Sequence, residues 1–128
     1  MISVSGLTSM VVNAAFAPQI AVPASVVYSE RPPLAQVNPK EVARDLLTTK
    51  QYKCFSRLIG KESAWKDAKN PTSSAQGIGQ LLDSTYRNLG MEHSESKVSQ
   101  LVATLAYIHR RHVSPCSAWS HFQKFNWY

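Results

Sequence analysis

If the stretch around residue 55 is helical, Phe55, Leu58 and Ile59 fall at i, i+3 and i+4, and the i+7 position of that apolar stripe is Glu62. The pattern points a carboxylate toward the core side of its helix. Burial disfavours the charged form and raises a carboxyl pKa, which is what a general acid working near neutral pH requires. The competing use of the same residue is an exposed Glu62–Lys66 pair at i, i+4, worth only about 0.3–0.5 kcal/mol. A few residues further on, Lys69-Asn70-Pro71-Thr72-Ser73-Ser74 is dense in turn formers, and Gly77 and Gly79 mark a tight backbone passage. Without a ligand, such a loop turns the chain and caps the next helix.

The other chemistry-bearing residues are few. Cys54 and Cys116 cannot build a four-thiolate zinc site and lack a Cys-x-x-Cys redox spacing, so they form either one disulfide or two buried thiols. A bond between them would join the helix carrying Glu62 to the last helix and close a loop whose entropy is worth about 4 kcal/mol, and an even pair suits a compartment outside a reducing cytosol. His93, His109, His112 and His121 have no tight metal spacing, and no metal is expected. Histidines at the surface are expected beside Arg110-Arg111, a basic cluster suited to an anionic polymer such as nucleic acid, or simply to solvent at a helix end.

Helices are the elements available to position these groups. Asn38-Pro39-Lys40-Glu41 combines a capping Asn, a Pro at the first helical position and a Glu three residues after the cap. The helix it starts should run to about Leu47, with Val42, Leu46 and Leu47 inward and Thr48-Thr49 weakening its end. A second is predicted from about Tyr52 to Ser63, and a short one at Leu81 to Leu89 after the glycines. Apolar residues at 98, 101, 102, 105 and 108 predict a helix from Val98 to Arg111, and Ser114-Pro115 should open a last one ending near Phe125. No alternating strand pattern is present, so the class is mainly α.

At 128 residues, 44% hydrophobic and 17% charged, the chain suits one globular unit rather than a wholly disordered one. The organisation divides near residue 38. Residues 1–37 hold one acid, Glu30, and one base, Arg31, so residues 38–128 carry the whole net charge of +6. Pro18, Pro23, Pro32 and Pro33 make the first part an extended, apolar arm. A secretory signal peptide is one reading of it, through the apolar run Leu7 to Ala17 and the small-residue site Val22-Pro23-Ala24, but a positive n-region is missing. A retained arm would lie against a partner or pack on its own domain. Breakers at Asn13, Pro18 and Pro23 interrupt the best apolar stretch, so no transmembrane segment is expected.

Glu62-Ser63-Ala64-Trp65, followed by Asn70-Pro71-Thr72-Ser73-Ser74-Ala75-Gln76-Gly77-Ile78-Gly79-Gln80, resembles the signature of the transglycosylase branch of the lysozyme-like superfamily. In that family a Glu-Ser pair at a helix end precedes a Ser-rich loop and an Ala-x-Gly-[Leu/Ile]-x-Gln run, here Ala75, Gly77 and Gln80. The likeness continues through Gln100, Tyr107-Ile108, Ser114-Pro115-Cys116-Ser117-Ala118-Trp119 and Asn126-Trp127-Tyr128, and covers about residues 39–128. It looks like the small secreted or phage-borne members. Three departures stand out: Asp83 where a Pro is common, Gln100 where an Asn is common, and Ala118-Trp119-Ser120-His121-Phe122 in place of an Ala-Tyr-Asn-Ala-Gly segment.

The resemblance implies a compact lysozyme-like helical domain in which Glu62 is the sole catalytic acid/base, acting on peptidoglycan glycan strands without a cofactor. It also implies attack by the muramoyl C6 hydroxyl to leave a 1,6-anhydro product. Ser73, Ser74 and Gln80 would hydrogen-bond sugar substituents, Gly77 would permit close backbone approach, Tyr107 would line the site and Trp119 would flank its groove. A lysozyme-type hydrolase would need a second carboxylate, and only Asp67 and Asp83 lie close to Glu62 in sequence. Two rival roles are a catalytically silent structural or wall-binding virion protein and, on charge alone, a nucleic-acid binder with no recognised motif. The favoured setting is a phage virion, with other virion proteins contacting the arm, followed by a secreted bacterial enzyme in an extracellular or periplasmic space.

Overall fold

Asn38 does what its side chain and the following proline prescribe: its Oδ1 accepts from the Lys40 backbone N–H at 3.0 Å and opens α1, Pro39–Leu46. The computed structural model describes residues 36–128. The arm assigned to residues 1–37, with its signal-peptide and partner readings, lies outside the described residues but for its last two. Ala43 is the fully buried residue of α1, with Val42 and Leu47 partly buried beside it. Leu46, expected inward, is instead 60% exposed. Leu46 shares the helix face of Val42 and Ala43, so its exposure comes from its place as the last residue of α1, where the core does not extend over it.

Thr48 serves the next helix rather than merely weakening the first. Its Oγ1 accepts from the Gln51 N–H at 3.2 Å, so α2, Thr49–Glu62, begins three residues earlier than the apolar spacing alone predicts. Phe55, Leu58 and Ile59 form its buried face. After Ser63 the chain turns sharply, with Ala64 at φ 53° and Trp65 at φ 64°. Two consecutive non-glycine residues in this left-handed region are sterically unfavourable and need support from packing. Trp65 receives that support: it is buried edge-on against Phe55, at a ring separation of 5.8 Å.

Three further helices complete the fold. α3, Asp83–Leu89, starts two residues later than expected and ends at Gly90 in the left-handed conformation. α4, Lys97–His112, is capped by Ser96, and α5, Pro115–Phe125, by Ser114 with Pro115 in the first turn. Among the described residues there is no strand, only the isolated bridges Lys69–Gln76 and Gln76–Leu81. The protein is therefore mainly α. Its core joins α2 to Ile78, Leu81, Tyr86, Leu101, Ile108 and Ala118, and α2 packs most extensively on α5. The Cys54–Cys116 disulfide ties those same two helices. No helix among the described residues is long and apolar enough to cross a membrane.

Candidate functional site

Glu62 is the last residue of α2, where the following chain reversal prevents the helix from continuing. Lys66 is thus not at i+4 on a helical surface, and among the described residues no ion pair joins it to Glu62. The carboxyl instead lines a cleft of about 750 Å³, a size within the range of ligand sites. Its lining comes from Leu81, Leu82, Thr85, Asn88 and Leu89, from Tyr107, Arg110 and Arg111 of α4, and from Asn126, Trp127 and Tyr128.

Burial in this half-apolar wall pushes the Glu62 pKa up to about 7. Its position at a helix C-terminus, where partial negative charge disfavours an anion, acts in the same direction. Ser63 steadies the helix end, donating its hydroxyl to the Ile78 carbonyl at 2.6 Å and tying the end of α2 to the glycine passage. Two phenols complete the surroundings. Tyr107 donates to the main-chain oxygen of Tyr128 at 2.9 Å, and Tyr128 to the Gly79 carbonyl at 2.5 Å. Burial, followed by repulsion from Glu62 among other charges, raises Tyr128 well above the usual phenol value. Burial also raises Tyr107, with Arg111 opposing and Glu62 adding to the shift. Both therefore remain neutral wherever Glu62 titrates.

Of the residues singled out from sequence, Glu62, Gln80 and Tyr107 meet in the cleft, whereas Ser73, Ser74, Gly77 and Trp119 do not line it. Ser73 Oγ accepts from the Ala75 N–H at 3.2 Å, and Ser74 Oγ accepts from the Asp83 N–H at 3.1 Å, at the start of α3. The serines thus turn the loop and cap a helix, because the N–H groups of a helix's first turn lack intrahelical acceptors. They lie instead beside a separate hollow of about 210 Å³ that Asp83 also lines. Gly77, at φ +81°, makes room for protein rather than ligand: a Cβ there would lie 2.9 Å from Gln100 Cδ. Gln100 in turn accepts from the Ile78 N–H at 3.0 Å and donates to the Ser94 carbonyl at 2.8 Å, bracing the loop from inside.

Gln80 reaches the cleft, but its amide nitrogen is occupied by the carbonyls of Ala68 at 2.8 Å and Gly77 at 2.9 Å, leaving its side-chain oxygen for a ligand. Trp119 stacks on Phe122 at a centroid distance of 5.9 Å and is partly buried; Trp127, 46% exposed, supplies the cleft's indole. Asp67 and Asp83 do not line the cleft, and Asp83 contacts His93 Nε2 at 2.5 Å. His112 is half-buried among Tyr107, Tyr128 and His121 rather than at the surface. Its pKa is lowered by burial and then by His121 and Arg111. The sequence singles out Arg110, Arg111 and the tail but does not place them in the Glu62 cleft, where the structure brings them. Their only signals were the basic doublet and the closing Asn-Trp-Tyr.

No family model, no curated protein and no solved structure matches this chain.

Proposed function

We propose that this domain is a peptidoglycan lytic transglycosylase of lysozyme-like type, with Glu62 as both acid and base. The observation that carries the reading is the cleft's acid inventory. Glu62 is the only Asp or Glu side chain lining it among the described residues, and burial holds its pKa at about 7. A group poised there exists in useful amounts as both acid and base near neutral pH. The motif likeness around Glu62 and Gln80 supplies the substrate class.

The protonated Glu62 donates to the glycosidic oxygen linking MurNAc C1 to the next GlcNAc as the C1–O bond breaks. The carboxylate left behind accepts the proton of the muramoyl C6 hydroxyl, whose oxygen bonds to C1. One strand end becomes a 1,6-anhydro sugar, the other gains a hydroxyl, and Glu62 is again an acid. Neither water nor a second carboxylate is consumed. Hydrolysis with a carboxylate partner receives no support from Asp67 or Asp83, since neither lines the cleft. Trp127 offers a flat face to a sugar ring.

The Cys54–Cys116 disulfide favours work outside a reducing cytosol. We place the protein in a phage virion that opens the wall during infection, with a bacterial secreted enzyme as the second setting.

Mass spectrometry of soluble products from purified peptidoglycan tests the reaction. Wild type should release anhydromuropeptides, and Glu62→Gln, which keeps the shape but loses the acid, should release none. Reducing-end products from wild type would replace the transglycosylase reading by hydrolysis. No product from folded wild type, beside an active control enzyme, would leave a binding or structural role.

A further inference from the structure

The cleft carries more positive charge than a neutral glycan requires. Besides Glu62 its formally charged side chains are Arg110 and Arg111, and among the described residues neither pairs with a carboxylate. Among the described residues neither guanidinium forms an ion pair with Glu62, so both remain free for a ligand anion. With Glu62 protonated, the charged side chains that remain in the lining are both cationic.

Both guanidiniums are anchored on cleft-wall residues. Arg110 donates from Nη1 to the Asn88 carbonyl at 2.8 Å, an acceptor left open at the end of α3. Arg111 lies over the Trp127 ring, 5.0 Å from its centroid. A helix C-terminus explains why cations are tolerated at the end of α4. It does not explain why both are tethered to the wall of the same cleft. Each guanidinium has five N–H donors, and the single hydrogen bond that Arg110 makes leaves most of its fork open; forks of this shape match carboxylates.

We infer that Arg110 and Arg111 form an anion subsite in the Glu62 cleft, which binds a carboxylate carried on the muramoyl substituent of the glycan. The inference rests on the glycan reading of the cleft. Two sources share this chemistry: the lactyl carboxylate of a strand stripped of its peptides, and the carboxylates of an attached stem peptide. A chito-oligosaccharide has neither and is the neutral comparison.

The test is calorimetric binding to the full chain carrying Glu62→Gln, which prevents turnover, with three glycans of equal length: chito-oligosaccharide, stripped strand and stem-bearing strand. At low salt at least one carboxylate-bearing glycan should bind about tenfold or more tightly than the neutral one, as expected for a charge-assisted hydrogen bond. Which of the two gains identifies the carboxylate. Adding Arg110→Gln and Arg111→Gln should abolish the difference, whereas Lys53→Gln with Arg57→Gln, an equal charge change on exposed residues of α2 outside the cleft, should preserve it. Arg111→Gln alone spares the Arg110–Asn88 contact and should reduce the preference if the double variant is poorly folded. Equal affinity for all three glycans overturns the subsite while leaving the glycan cleft in place, as does equal loss in the charge-matched control. Failure of folded protein to bind any of the glycans overturns both readings.

Discussion

A carboxyl group titrates near neutrality where its charged form is poorly solvated and no cation compensates, and burial at the end of α2 brings this about for Glu62. Its proton has two readouts. In catalysis the acid must start protonated, so kcat/KM on soluble glycan should fall as pH rises, with an apparent pKa of about 7. In stability the folded carboxyl holds its proton more tightly than the unfolded one, whose pKa is 4.5. The folded state therefore loses stability as pH rises from the unfolded value through the folded one. Glu62→Gln should match wild type near pH 4 and exceed it by about 1–2 kcal/mol near pH 8, a difference reduced by solvent screening at a half-exposed site. Urea unfolding at the two pH values checks this, and a pH-independent difference would mean that the carboxyl is ordinarily solvated.

The elements hold the site through a polar seam rather than through apolar contact alone. Gly79 is pressed against α4 so closely that an added Cβ would stand 2.1 Å from Thr104 Oγ1, while Thr104 itself donates to the Gln100 carbonyl at 2.7 Å. Gly79→Ala should therefore force the loop from the helix and destabilise the fold by about 2–3 kcal/mol. Gly60, on the exposed face of α2, has open space where a Cβ would stand, with nothing within 4 Å. Its replacement by Ala should stabilise by about 0.5–1 kcal/mol through helix propensity. Chemical denaturation of the two variants in parallel tests whether close approach, rather than glycine content, governs this region; equal effects would refute that distinction. The helix starts at Asn38 and Ser114 are legible in sequence because capping is local chemistry. The cap on α3 is not, since Ser74 reaches it across a loop.

At the scale of the whole domain, the disulfide fastens the most extensively packed helix pair and spans a sequence separation of 62. Its removal should release loop-closure entropy worth about 4 kcal/mol in the unfolded chain and lower the thermal midpoint by more than about 15 °C. Calorimetry of the paired Cys54→Ser and Cys116→Ser variant measures this; an unchanged midpoint would show that α2 and α5 need no tether. The +6 charge of the chain gains meaning only here. Most basic residues are scattered, but α4 delivers Arg110 and Arg111 to the wall of the acid's cleft.

The sequence by itself determined the mainly helical class, the helix starts at Asn38 and Ser114, and the place of Glu62 on an otherwise apolar face, because these depend on residue type and a 3.6-residue period. It narrowed the cysteines to a disulfide or two thiols, and folding chose by bringing their Cα atoms within 4.9 Å. Which aromatic flanks the cleft, which serines only cap, and where the basic doublet points were decided by tertiary structure. Each depends on how distant segments cross: the reversal at Ala64-Trp65, the packing of α3 on α4, and the return of Trp127 and Tyr128 toward Arg111 and Gly79. Local propensity carries no information about those crossings. They follow from burying the shared core, and the core in turn leaves one half-solvated acid at the end of α2.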